Sequence, residues 1–166
     1  MSRTPSGSIA VRTRAALGCR LFLSATVLLG VECGTASALE PQVNYMLQCM
    51  GCHTPDGSGE PGRVPSIRTT LAPFASVPEG RRFLVQVPGS AQSTLSDAEL
   101  AELLNWMIRT FSTHVQPGRF TPYTRREVAS YRRTPLVEVR KTRERLLSLP
   151  AVRKSMNGSL VSQSLR

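Results

Sequence analysis

Apolar residues recur at helical spacing in the middle of the chain. Leu100, Leu103, Leu104, Met107, Ile108 and Phe111 form one stripe, the pattern of a helix with one face in a core. Its start is written in Leu95-Ser96-Asp97-Ala98-Glu99-Leu100. Ser96 followed by Glu99 is a capping box, in which a hydroxyl and a carboxylate each satisfy a backbone N–H that the helix leaves unpaired. A shorter helix is predicted from Glu79 to Val87, stopped by Pro88-Gly89. After Phe120-Thr121-Pro122-Tyr123, Thr124-Arg125-Arg126-Glu127 repeats the capping-box pattern and predicts a helix to about Arg133, which Pro135 breaks. A further helix from Leu136 to Leu149 places Leu136, Val139, Thr142, Leu146 and Leu149 on one side, with Arg140, Lys141, Arg143 and Arg145 largely away from it. Nothing before Cys49 reads as a strand. The fold expected is all-α.

The apolar run Leu21 to Val31 is of a different kind. It follows an n-region with Arg3, Arg12, Arg14 and Arg20 and no acid, and leads to Ala36-Ser37-Ala38. That order is a secretory signal peptide with an A-x-A cleavage site, and predicts a mature chain from Leu39. Eleven apolar residues are too few to span a hydrocarbon core of about 30 Å as a helix, so no integral membrane anchor is expected. Lipid attachment at Cys33 is disfavoured by the preceding Glu32, and the n-region holds no adjacent arginine pair for twin-arginine export. The address is therefore the periplasm.

Charge divides the 166 residues further. The whole chain carries a net of +10. Residues 1–38 contribute +3, residues 39–116 contribute −2, and residues 117–166 hold twelve basic and three acidic residues, a net of +9. This predicts a near-neutral domain at 39–116, a basic helical extension at 117–150, and a serine-rich tail at 151–166 without fixed structure. The extension reads either as a helical clasp packed on the domain or as a docking surface for an acidic partner.

Cleavage removes Cys19 and Cys33 and leaves Cys49 and Cys52, followed at once by His53. C-x-x-C-H is the attachment signature of c-type haem. Each sulfur adds to one vinyl group, and the adjacent imidazole coordinates iron as the proximal ligand. A thioredoxin-like dithiol needs a βαβ context. A zinc site normally takes four ligands, and beyond Cys49, Cys52 and His53 the mature chain has no other histidine than the remote His114.

Around this motif, residues 41–112 resemble a class I monohaem cytochrome c domain. Asn44-Tyr45-Met46-Leu47-Gln48 is similar to the family's N-terminal helix. Gly57, Gly59 and Gly62 fit its following loop, and Ser96 to Phe111 its C-terminal helix. Trp106 matches the aromatic residue that packs the last helix on the first. Val64-Pro65-Ser66-Ile67 resembles the segment whose proline carbonyl accepts the proximal histidine's Nδ1–H, a bond that orients the ring; the resemblance assigns this to Pro65. It further implies a haem c cofactor and an electron carrier rather than an enzyme. Such a carrier takes single electrons from a dehydrogenase or respiratory complex and passes them to another carrier or an oxidase. Nucleic acid is not an expected partner.

The pattern is broken at one place. The family presents a distal methionine on the loop before the last helix, whereas Val85 to Thr94 (VQVPGSAQST) contains none. Met46 and Met50 belong to the proximal side and Met156 to the tail. Met107 reads first as core. The sixth iron position is left to Met107, to His114, to water, or open. An open position would suit a haem protein that binds CO, NO or peroxide; a third reading is a haem subunit of a larger oxidoreductase with the basic segment as its assembly arm. The first test is covalency. Replacing both Cys49 and Cys52 by alanine is expected to abolish haem staining on a denaturing gel, and staining that persisted would contradict the attachment.

Overall fold

Pro41 opens the first helix of the computed structural model, which describes residues 38–112 and 120–164, with side chains of the last helix described to residue 157. Residues 1–37, all but the last residue of the predicted leader, and His114 lie outside the described residues. The elements are α1 (Pro41–Gln48), α2 (Met50–His53), α3 (Leu71–Ala75), α4 (Pro78–Gln86), α5 (Pro88–Ala91), α6 (Asp97–Phe111), α7 (Arg125–Arg132), α8 (Val139–Ser148) and α9 (Pro150–Ser164). The β-type pairing among the described residues is one antiparallel bridge, Glu60 with Val64. The all-α, cytochrome c-like fold expected from the sequence is the one observed.

The long helix α6 starts where its capping box places it. Ser96 Oγ accepts from the Glu99 N–H at 3.3 Å, and the Glu99 carboxylate accepts from the Ser96 N–H at 2.8 Å. Hydrogen bonds from Ser96 hold the Glu99 carboxyl below its ordinary range. The stripe Leu100, Leu103, Leu104, Met107, Ile108 and Phe111 is buried in full. It meets α1 through aromatic packing: the Tyr45 ring lies 5.6 Å from Trp106 and 4.8 Å from Phe111. Tilted ring pairs at such spacings add to what area burial supplies.

Two elements differ from the pattern read in the sequence, and α3 was not signalled at all. Pro88 ends α4 and also starts α5, because a proline at the first helical position gives up an N–H that has no acceptor there. α3 is a five-residue helix containing Pro73, too short for a period to show. The tail expected to lack fixed structure instead forms α9. Val152 is fully buried and Met156 packs against the core, so two apolar residues four apart are enough to dock a helix whose serines had dominated the reading.

The basic segment is packed into the fold. Tyr123 donates its N–H to Asn105 Oδ1 at 2.7 Å, and Asn105 Nδ2 donates to the Tyr123 carbonyl at 3.0 Å. Arg81 on α4 makes a two-pronged pair with Glu127 on α7, both bonds 2.7 Å, and its guanidinium lies 4.0 Å from the Tyr123 ring centre. This corrects the second capping box: Thr124 Oγ1 accepts from the Glu127 N–H at 3.2 Å, but the Glu127 carboxylate is diverted to Arg81. A bidentate, charge-assisted contact outweighs one more cap bond. Arg132 then donates to the carbonyls of Ala91 (2.9 Å), Leu95 (2.6 Å) and Ser93 and reaches Asp97 at 3.3 Å. The Leu136 N–H donates to the Gln86 carbonyl at 2.8 Å. Val128 and Leu146 bring apolar surface from α7 and α8, and neither is more than 1% exposed.

A buried leucine truncated to alanine typically costs about 2–5 kcal/mol, whereas surface changes stay within about 0.5 kcal/mol. Leu146→Ala is therefore expected to lower the holoprotein's unfolding free energy by an amount in the first range, seen as a lower denaturation midpoint. A midpoint equal to wild type would show that α8 is not part of the cooperative unit.

Candidate functional site

Cys49 stands between two helices. Its N–H donates to the Tyr45 carbonyl at 2.9 Å, closing α1, and its own carbonyl accepts from Cys52 (3.1 Å) and His53 (3.0 Å), opening α2. Residues three apart on a helical turn project to the same side, so both thiols and the imidazole come from one turn. Cys49 is half-buried, Cys52 is exposed, and neither is in a disulfide.

The backbone after His53 is fixed from several directions. The Tyr45 hydroxyl donates to the Thr54 carbonyl at 2.6 Å. The His53 carbonyl accepts from the Gly59 N–H at 3.2 Å and from the Thr54 hydroxyl. Asp56 accepts from Thr54 Oγ1 (2.8 Å) and the Ser58 N–H (3.1 Å), and these bonds, those from Ser58 first, hold its carboxyl well below the usual range. Gly59 is obligatory for two reasons. Its φ of +71° suits glycine, and a Cβ there would stand 2.4 Å from the Val64 carbonyl oxygen.

The turn forms one wall of a cavity of about 330 Å³. Leu71 and Phe74 from α3, Phe83 and Leu84 from α4, and Leu100, Leu103, Leu104 and Met107 from α6 line the rest, with Pro65 beside the histidine. The Phe74 and Phe83 rings stand perpendicular, 5.5 Å apart. His53 Nδ1 is buried without a hydrogen bond of normal geometry. Burial lowers the ring's proton affinity, opposed more weakly by the Pro65 carbonyl. A neutral imidazole is the form that ligates a metal. Cys49 is pushed up to about 11 by burial and then by Cys52, the reverse of the depressed thiol that dithiol redox chemistry uses.

These residues fit haem c. Two thiols on one turn can take the two vinyl groups, the half-buried imidazole can offer Nε2 to iron while its Nδ1 faces the Pro65 carbonyl, and the apolar walls suit a flat macrocycle. Among the described residues no three of His, Cys, Asp and Glu cluster as they would around zinc.

Three further features complete the site. Val87, Gly89, Ser90 and Ser93 from the segment ahead of α6 line the cavity, and none is a strong iron ligand. Of the methionines among the described residues, Met107 alone lines the cavity, while Met46 is 51% exposed. The sequence missed the contribution of α8: Val139 and Arg143 also line the cavity, whereas Arg143 was expected to lie away from the apolar stripe. Helical arithmetic explains the correction, since 139, 143 and 146 follow one another by four and three, and Leu146 is buried.

A helical fold around an apolar chamber with a C-x-x-C-H turn in its wall resembles that of a c-type cytochrome, and its cofactor is haem c. The chain is similar to two curated proteins named cytochrome c-552 from Thermus thermophilus. One is 29% identical over 128 residues, covering 66% of this chain and 84% of the relative. The other is 28% identical over 103 residues, covering 51% and 79%. No family model and no solved structure matches the chain.

Met107 is 6% exposed and continues the core stripe of α6. Met107→Leu nearly conserves volume and is expected to leave the haem absorption spectrum unchanged with a stability loss below about 1.5 kcal/mol. Conversion of low-spin to high-spin haem in this variant would instead identify Met107 as the sixth ligand.

Proposed function

We propose that the protein is a periplasmic electron carrier with a single haem c. In this reading Cys49 and Cys52 hold the two thioethers, His53 is the proximal ligand, and Pro65 orients its imidazole. Residues 1–38 are the export signal. The observation that carries the reading is the placing of both thiols and one half-buried imidazole on a single wall of an apolar chamber. Haem supplies one-electron exchange between ferric and ferrous iron; the chain supplies ligation, exclusion of water and a docking face. No helix among the described residues is long and apolar enough to cross a membrane.

Two surfaces support exchange with redox proteins such as a dehydrogenase, a respiratory complex or an oxidase. Val43, Met46 and Leu47 are exposed on α1, spaced three and four apart on one stripe, and the exposed Cys52 lies on the next turn. On α8, Arg140, Lys141 and Arg145 point to solvent while Leu146 is buried. Such a charged face raises encounter rates with an acidic partner.

A second reading has one observation in its favour: the segment Val87 to Ser93 borders the cavity without a ligating side chain. It makes the protein a haem binder of small ligands. Carbon monoxide added to the ferrous protein separates the two, because an open position gives an immediate spectral change and a ligated one resists.

The carrier reading is tested by stopped-flow oxidation and reduction with the physiological partner. Exposed charges are screened beyond roughly 8 Å at physiological ionic strength, so the rate is expected to fall as salt rises. Reversing charge at Arg140, Lys141 and Arg145 is expected to lower the association rate and leave the haem spectrum intact. Equal, salt-independent rates for wild type and the triple variant would remove electrostatic docking by α8.

A further inference from the structure

The face of α8 that carries Val139 brings to the cavity a cation that no described residue neutralises. Arg143 lines the cavity beside Val139, and it is half-buried between helix turns anchored by Val139 and the buried Leu146. Among the described residues it forms no ion pair and no hydrogen bond. Among the described residues the other half-buried arginines are both engaged: Arg81 with Glu127, and Arg132 with Asp97 and three carbonyls. Burial alone acts on Arg143 and lowers its proton affinity. Guanidinium stays protonated in proteins, so this charge is held in an apolar setting at a cost unless a counter-ion meets it there. No carboxylate of the described chain lines the same cavity.

We propose that Arg143 is the counter-cation of a haem carboxylate, so that the extension helix supplies part of the haem-binding site. The inference rests on haem attachment at Cys49 and Cys52. The macrocycle carries its two carboxylates on the edge remote from the vinyl carbons that the cysteines take. A ring tethered at the α2 turn therefore points its acidic edge away from that turn. α8 reaches the cavity from α4 and α9, the elements it packs on. A planar guanidinium matches a carboxylate with two parallel bonds. Leu146, the next residue along the same stripe, is buried, and its packing turns the Val139–Arg143 face inward. One helix thus has two electrostatic roles: Arg140, Lys141 and Arg145 outward to solvent, Arg143 inward to the cofactor.

A cation beside the haem favours the reduced, more negative state. Arg143→Gln in the holoprotein is expected to shift the ferric–ferrous equilibrium toward ferric by about tenfold, equivalent to 59 mV for one electron, measured by spectroelectrochemical titration. Arg140→Gln makes the same formal charge change on the exposed face and is expected to shift it less than twofold. Arg143→Lys keeps the charge and protects folding, but loses the two-pronged bond; the resonance Raman bending band of the haem carboxylates is expected to move in this variant and to stay in Arg140→Gln. An equal shift in both glutamine variants, or a carboxylate band unmoved by Arg143→Lys, would overturn the assignment. So would an unchanged potential in Arg143→Gln accompanied by altered cyanide affinity of the ferric protein, which would place Arg143 at the iron. A purified chain that fails to stain for haem defeats the attachment itself, whereas a stained chain with these negative results defeats only the role of Arg143.

Discussion

An imidazole set in an apolar wall needs a partner for each ring nitrogen, and this fold is organised around holding one there, with Nδ1 toward the Pro65 carbonyl. The His53 backbone is fixed by Tyr45, Thr54 and Gly59, and its ring is set in the wall of an apolar chamber whose other sides come from α3, α4 and α6. Tyr45 is the hinge of this arrangement. Its ring packs against Trp106 and Phe111 while its hydroxyl secures the residue after His53. Burial pushes that hydroxyl up to about 12, so it stays a donor. One side chain thus couples the meeting of first and last core helices to the position of the histidine. The paired thiols, the Nε2 of His53 and the apolar walls all receive partners in a covalently attached haem, while Nδ1 is left to the Pro65 carbonyl.

The basic segment changes meaning once its contacts are known. Arg81, Glu127 and Tyr123 lock α7 onto α4, and Arg132 gathers the carbonyls of Ala91, Ser93 and Leu95. Ala91 and Ser93 belong to the stretch 85–94, where the class I resemblance would place a distal methionine. The segment that lacks a ligand here is therefore braced from outside by an arginine. Packing and docking are not rivals for α8, because an amphipathic helix has a face for each.

Much of this was legible in the sequence where a local rule acts alone. The capping box at Ser96, the stripe from Leu100 to Phe111 and the C-x-x-C-H spacing depend on residues within one or two turns of each other. What escaped depends on long-range choices. Glu127 could serve its own helix or Arg81, and only the neighbouring α4 decides. Val152 and Met156 looked incidental in a serine-rich tail until a groove was present to receive them. Arg143 could have been read correctly, since its spacing from Val139 and Leu146 marks the inner face, but the density of charge from Arg140 to Arg145 masked the period.

Peptide mass spectrometry of the purified, exported protein tests the central claim most directly. After alkylation and proteolysis, the peptide spanning Cys49 to His53 is predicted to carry one haem and no alkyl groups, as two thioethers require. Recovery of that peptide with both cysteines alkylated and no haem would contradict the account at its root.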